Sequence, residues 1–206
     1  MRNNNVKRMT VFALFLAIEL LLFFTPLGFI RLGFLSITLM HIPVIAASIL
    51  LGVKEGMLLG LVFGLCSVLN ATIAPGITSF VFSPFITVGG ISGNWTSLVI
   101  ALVPRVLLGY IPGALFNLFV KRGLNRSLSA ALAAGIATAC HTLMVLGLII
   151  VLFAAPYAQA IGSATNLLYG VMGMTILTNG IPELLAASAC MAALVKAVPV
   201  PKVQTA

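Results

Sequence analysis

The sequence predicts an all-α integral membrane protein of six transmembrane helices with both termini in the cytoplasm, and three observations carry that prediction. The first is composition: 61% of the 206 residues are hydrophobic, only 7% are charged, and mean hydropathy is +1.22. A soluble domain carries about one quarter charged residues. This excludes a water-soluble enzyme, a nucleic-acid binder and a disordered tail, in spite of a formal net charge of +8. The second is spacing, because apolar runs approach the ~20 residues a crossing requires, and the chain has room for about six. The third is the distribution of the basic residues, which follows once the runs are laid out.

Helix 1 is expected over 7–24, entered after Lys7-Arg8 and stopped by Thr25-Pro26. Its apolar run has no small-residue cleavage site, so it reads as a retained helix and not a signal peptide. A loop with Gly28, Arg31 and Gly33 leads to helix 2 over 36–51, with Pro43 in its first half. The turn Gly52-Val53-Lys54-Glu55 starts helix 3 over 56–71. A long uncharged segment, 72–93, is punctuated by Pro75, Gly76, Pro84, Gly89 and Gly90 and reads as loop. Helix 4 spans 94–120 and carries Pro104 and Pro112. A basic turn at 121–126 precedes helix 5 over 127–153, and a loop at 154–166 precedes helix 6 over 167–195. No internal repeat is visible, so residues 1–206 form a single membrane domain.

With six crossings, Arg2, Lys7, Arg8, Lys54, Lys121, Arg122, Arg126, Lys196 and Lys202 all fall on one side, and Arg31 stands alone on the other. The positive-inside rule makes the basic side cytoplasmic. The longer, uncharged connections are then external, where ordered loops tend to be functional.

Ionisable groups within the bilayer are costly and therefore functional candidates. Arg105, His141 and Asn179 lie about twelve to fourteen residues from their helix ends, roughly 18–21 Å at 1.5 Å per residue. Helices 4, 5 and 6 thus place one polar side chain each at a common depth. Glu183 shares a helix face with Asn179 at i, i+4. Arg105 either forms a structural ion pair with Glu183 or lines an outward-facing cavity with His141 and Asn179, where Glu183 orients it. A guanidinium in such a cavity suits a carboxylate, since its planar fork bonds both oxygens. Asn70, Thr78 and Ser79 border the long 72–93 loop and are further ligand candidates. Arg31 either snorkels to headgroups or reaches a bound anion.

Other residues read as structural. Glu19 has no evident basic partner and reads as polar glue or as an interface residue. His41 reads as a hydrogen-bonded packing residue, and Trp95 and Tyr110 as interfacial belt residues. Cys66, Cys140 and Cys190 sit in apolar runs and read as small buried hydrophobes. Gly56, Gly60 and Gly64 recur every four residues and predict a close helix contact. Ala13 and Ala17 make a flat patch on helix 1, which is either an internal contact or a docking face for another membrane subunit. No GxxxxGK[ST] phosphate loop, HExxH or GxSxG is present, so neither ATP hydrolysis nor another catalytic activity is expected of this chain. No cofactor or metal site is expected either.

The chain resembles the substrate-binding S components of energy-coupling factor (ECF) vitamin transporters. The resemblance spans nearly all of it: six helices, Ala13-x-x-x-Ala17, the stretch from Ile42-Pro43 to Leu51-Gly52, and the Gly-rich helix 3. Phe82-Ser83-Pro84-Phe85, Pro104-Arg105 with Gly109, and Asn179-Gly180-Ile181-Pro182-Glu183 complete it. It implies a multi-pass protein of the bacterial plasma membrane that binds a vitamin from outside and topples in the bilayer to release it. Ala13 and Ala17 would then dock onto a transmembrane T component, and two cytoplasmic ATPases would supply the energy. Helices 4 to 6 and the outer loops would form the binding site. The similarity is greatest to the pantothenate and riboflavin branch. Pantothenate, with a carboxylate, an amide and two hydroxyls, suits Arg105, Asn179 and a Ser/Thr-lined cover. Riboflavin would call for more aromatic stacking, and cobalamin for a wider mouth. A stand-alone secondary transporter is the competing reading, with Glu183 and Glu19 as its only candidate coupling acids.

Overall fold

A computed structural model describes residues 2–32 and 35–198, without the side chains of 2–4 and 30–37. Gly33 and Lys202 lie outside the described residues. Helices dominate in the order expected. They are α1 (Arg2–Phe23), α2 (His41–Leu50), α3 (Val53–Ile73), α4 (Thr96–Lys121), α5 (Arg126–Ala160), α6 (Leu168–Thr175) and α7 (Ile181–Ala197). The last two are one rod joined by a π-helical turn, Ile176–Gly180. Four helical rods (α3, α4, α5 and the α6–α7 rod) are long and apolar enough to cross a membrane. Helix α1 has the length, at 22 residues, but carries Lys7, Arg8 and Glu19.

The expectation of a purely helical chain needs correction. Two short antiparallel hairpins occupy the loops: β1 (Ile30–Leu32) with β2 (Leu35–Ile37), and β3 (Thr87–Val88) with β4 (Ile91–Ser92). The second turns through Gly89 and Gly90 at φ 58° and 81°, the left-handed pair a two-residue hairpin turn requires. Because residues 35–37 are strand, α2 starts five residues later than expected, at His41, and keeps only ten residues. Pro43 sits in its first turn, where a missing amide costs nothing. Helix α1 extends back to Arg2, since nothing in the polar Asn3-Asn4-Asn5 run breaks a helix.

Helix α5 overruns its expected end by seven residues. It bends at Phe153 (φ −136°, ψ 21°), three residues before Pro156, which cannot donate to the Leu152 carbonyl and crowds it. The expected 154–166 loop shrinks accordingly.

The tightest contact is between α3 and α4, and glycine makes it. A Cβ on Gly56 would collide with the Gly109 carbonyl, one on Gly60 with the Arg105 carbonyl, and one on Gly64 with Ala101 and Leu102. The four-residue spacing therefore brings the two backbones into contact, as small residues do between membrane helices. Helix α2 locks onto the same pair through Ser48. Its hydroxyl donates to the Gly109 carbonyl at 2.6 Å and accepts from the Gly113 amide at 3.0 Å. These two groups are i, i+4 partners of α4, so the side chain inserts into the helix ladder beside Pro112.

Two apolar clusters fill the interior. One gathers Val44, Ile45, Leu59, Leu108, Ala130, Ala134, Ala187 and Met191. The other gathers Phe80, Ile100, Ile149, Phe153, Tyr157 and Leu168. Along α4 and α5 the two sets are separated by about two turns, Ile100 to Leu108 and Ala137 to Val145, and that gap holds the cavity described next. At the far end of the first cluster, Arg8 of α1 bonds Glu55 of α3 at 2.6 Å. Ser127 at the start of α5 donates to the Ala192 carbonyl of α7 at 2.9 Å.

Candidate functional site

Arg105 lies in the gap because of its neighbours in sequence and space. Pro104 has no amide, so the Ile100 carbonyl four residues earlier loses its helical donor. The Arg105 guanidinium turns back and supplies one: Nη1 donates to the Ile100 oxygen at 2.6 Å. The guanidinium carbon lies 5.5 Å from the Phe63 ring centre and 5.2 Å from that of Phe82, within cation–π range of both. Its Nε has no hydrogen-bond partner, and Arg105 keeps only 7% of its surface exposed.

The cavity beside it offers about 150 Å³ to water-sized atoms, some ten times what one water needs. Arg105, His141, Asn179, Glu183, Asn70, Thr78 and Ser79 all line it, so every ligand candidate with a described side chain faces one space. Arg31 is the exception: its backbone belongs to β1, and its side chain lies outside the described residues.

Of the two readings of Arg105, the direct ion pair with Glu183 does not form. Among the described residues the salt bridge present is Arg8–Glu55, and Arg105 has no carboxylate within 4.0 Å. Glu183 instead accepts from the Thr38 amide at 2.8 Å, across 145 residues. The backbone between β2 and α2 thus supplies the donor that the carboxylate uses. Thr38 is itself a node, since its hydroxyl donates to the Gly28 carbonyl at 2.7 Å and its carbonyl lies 2.6 Å from His41 Nδ1. His41, 1% exposed, is thus the packing residue its position suggested.

Asn179 sits in the π turn. Such wider turns favour functional positions, and here Pro182 follows at once and cannot continue regular pairing. The Thr178 hydroxyl lies 2.9 Å from Asn179 Oδ1, which leaves the amide NH₂ for the cavity. His141 is buried with Nε2 unpartnered, its ring 6.2 Å from that of Phe63. On the loop side, the Ser97 hydroxyl holds the Phe80 carbonyl at 2.7 Å and Thr72 pairs with Ser83 at 2.7 Å. These bonds pin the 74–83 segment, with Thr78, Ser79 and Phe82, over the cavity.

Sequence reasoning missed Phe29, Thr38, Ser67, Thr142 and Thr175 as lining residues. Ser67 lies three residues from Asn70 on α3, and Thr142 directly follows His141, so helical proximity was an available signal for both. Thr38 acts through its backbone amide, which leaves no trace in residue type. Glu19 differs from both readings given to it: it is fully buried and neither carboxyl oxygen has a partner. Ala13 and Ala17 are exposed, which resolves the face they occupy. Of the three cysteines only Cys66 is buried; Cys140 is intermediate and Cys190 exposed. Trp95 is 74% exposed and stacks edge-on with Phe85.

Chemically, the space offers one cation without a counter-ion in contact, amide and hydroxyl groups around it, a carboxylate opposite, and apolar walls from Phe29, Ile77, Val145 and Leu146. Among the described residues no group of three or more His, Cys, Asp or Glu side chains could hold a metal ion. The arrangement suits a small anion that also carries hydroxyls or an amide.

Residues 7–195 match the family model for the ECF transporter, substrate-specific component. The chain is 38% identical over 161 residues, 78% of its length and 76% of the relative's, to the pantothenic acid transporter PanT of Lactococcus lactis subsp. cremoris. It is 30% identical over 204 residues, 94% of its length and 93% of the relative's, to the pantothenate transporter PanT of Leuconostoc mesenteroides.

Proposed function

Since the chain belongs to the family of ECF transporter substrate-specific components, a multi-pass membrane protein of the transport class, we propose that it captures pantothenate from outside the cell. It then hands this vitamin to an ATP-driven importer built from a T component and two cytoplasmic ATPases. The observation that carries the substrate is Arg105, a buried cation facing a cavity with no carboxylate in contact. A ligand carboxylate would complete it. Asn179, Glu183 and the Ser/Thr set then meet the amide and hydroxyls of the same molecule. The relatives named as pantothenate transporters support this reading.

Six crossings with cytoplasmic termini remain the topology this reading uses. The Arg8–Glu55 bond and the Ser127–Ala192 bond support it by holding the first helix, the α2–α3 turn and the α5 and α7 ends at one pole, the basic one. Exposed Ala13 and Ala17 support a T-component contact on α1.

Calorimetry on the purified chain tests the substrate. Pantothenate should bind with a Kd near the nanomolar range, about −12 kcal/mol, and pantothenol, which replaces the carboxylate with an alcohol, far more weakly. Tighter binding of riboflavin or cobalamin would redirect the assignment within the family. Accumulation of pantothenate against a gradient by the chain alone, in liposomes without ATP, would overturn the coupling.

A further inference from the structure

We infer that Pro104 is a positioning residue for ligand recognition: by withholding an amide, it leaves the Ile100 carbonyl open to anchor the Arg105 side chain. The inference rests on Arg105 receiving the ligand carboxylate, and it concerns how that side chain is held when no ligand is present. A free arginine has about 2 kcal/mol of rotamer entropy to lose on binding. In an apolar gap with no carboxylate partner, only a few contacts are available to restrict it.

Three such contacts exist, and only one is directional. Phe63 and Phe82 flank the guanidinium with their rings, which limits its plane but not its rotation within that plane. The Nη1–Ile100 bond of 2.6 Å fixes the rotation. It uses one corner of the fork and leaves Nε without a partner. In a regular helix the amide at 104 would share the Ile100 carbonyl, so the guanidinium would be the second donor on it and the weaker held. Proline in a mid-helix position is costly, and at 104 its effect is to hand a backbone acceptor to the very next side chain. Gly60 reinforces the placement from α3, where even a methyl group would strike the Arg105 carbonyl.

The test compares Pro104→Ala with Arg105→Gln, using pantothenate and pantothenol as ligands and calorimetry as the readout. Pro104→Ser, which supplies the same amide, serves as a second variant. Restoring the amide should weaken pantothenate binding about five- to tenfold, the scale of one net hydrogen bond. Pantothenol binding should change less than about twofold on the same scale, because the anchored group acts on the carboxylate alone. Thermal stability of the ligand-free protein should not fall. Arg105→Gln should weaken pantothenate binding strongly, and Pro104→Ala added to it should have no further effect. Equal losses for both ligands would overturn the inference, since that is what a general distortion of α4 gives. Unchanged pantothenate affinity in the proline variants, with Arg105→Gln impaired, would overturn it too while sparing the parent reading. Unchanged affinity in Arg105→Gln would remove both.

Discussion

On one wall of the cavity, α3 and α4 press backbone against backbone through Gly56, Gly60, Gly64 and Gly109. On the other, α5 faces a rod interrupted at cavity level by the π turn and Pro182. The first wall holds the cation, with its side chain bonded and flanked by aromatic faces. The second holds Asn179 and Glu183, whose contacts are single bonds to Thr178 and to the loop residue Thr38. Rigid packing therefore surrounds the group that is hardest to place in a membrane, and irregular backbone surrounds the groups that tie down the loops. A substrate that must enter and leave needs both: a fixed charge to orient it, and a wall able to yield.

The largest effect should follow from removing the cation. Arg105→Gln should weaken pantothenate binding about a thousandfold, on the order of 4 kcal/mol, as expected when one partner of a buried charge pair is lost. Calorimetry against pantothenol provides the control, since that ligand should barely distinguish the two proteins. A loss common to both ligands would mean that the arginine supports the wall and not the anion.

Next comes the packing of that wall. Gly60→Val places branched carbons against the Arg105 carbonyl, and overpacking of this kind costs about 1–3 kcal/mol. The melting temperature in detergent should drop, and pantothenate binding should weaken with it because Arg105 is displaced. Gly147, beside which a Cβ meets nothing within 4 Å, is the control site: Gly147→Ala should leave binding unchanged and should not lower the melting temperature, since alanine favours the helix over glycine.

On both walls the ionisable and amide side chains that face the cavity could be read from sequence, and on neither could most of their hydrogen-bond partners. The Gly56-Gly60-Gly64 spacing announced a backbone contact, and counting residues along helices placed Arg105, His141 and Asn179 at one depth. Both inferences depend only on approximate helix geometry, which one wider turn at Asn179 barely alters. Charge alone left open whether Arg105 pairs with Glu183 or lines a cavity, and the backbone amide of Thr38, which bonds the carboxylate, could not be foreseen from residue types. The role of the Ile100 carbonyl was equally hidden, since it follows from what Pro104 lacks. The β hairpins escaped notice because two- and three-residue strands have too little periodicity to register beside helices of twenty residues or more. Where main-chain groups do the bonding, residue types carry little of the information.

The tie between Glu183 and the loop is the third way to probe the contrast. Glu183→Ala strands a buried amide, a loss of about 2 kcal/mol or some thirtyfold in affinity if loop order supports binding. Glu183→Gln keeps an acceptor oxygen for Thr38 and should stay within about threefold, the effect of a weakened single bond. Stopped-flow dissociation rates should separate the two, with ligand leaving faster from the alanine variant. If glutamine were as damaging as alanine, the charge of the carboxylate would dominate its contact with the ligand and the loop tie would be incidental.

The smallest effect belongs to Ser48, and it measures how self-sufficient the glycine contact is. Its hydroxyl bridges the Gly109 carbonyl and the Gly113 amide, two groups that can pair with each other once the bridge is removed. Ser48→Ala should therefore cost at most about 1 kcal/mol, a shift of a few degrees in melting temperature for a chain of this size, with pantothenate affinity intact. Ser48→Val is the sharper variant, because it adds a methyl group and wedges apolar carbons between two polar groups that need partners. If valine lowers the melting temperature well beyond alanine while Gly60→Val remains worse than either, α3 and α4 hold each other and α2 only trims the fit. If Ser48→Ala instead matched Gly60→Val, the first wall would owe its rigidity to the inserted side chain, and its contrast with the second wall would dissolve.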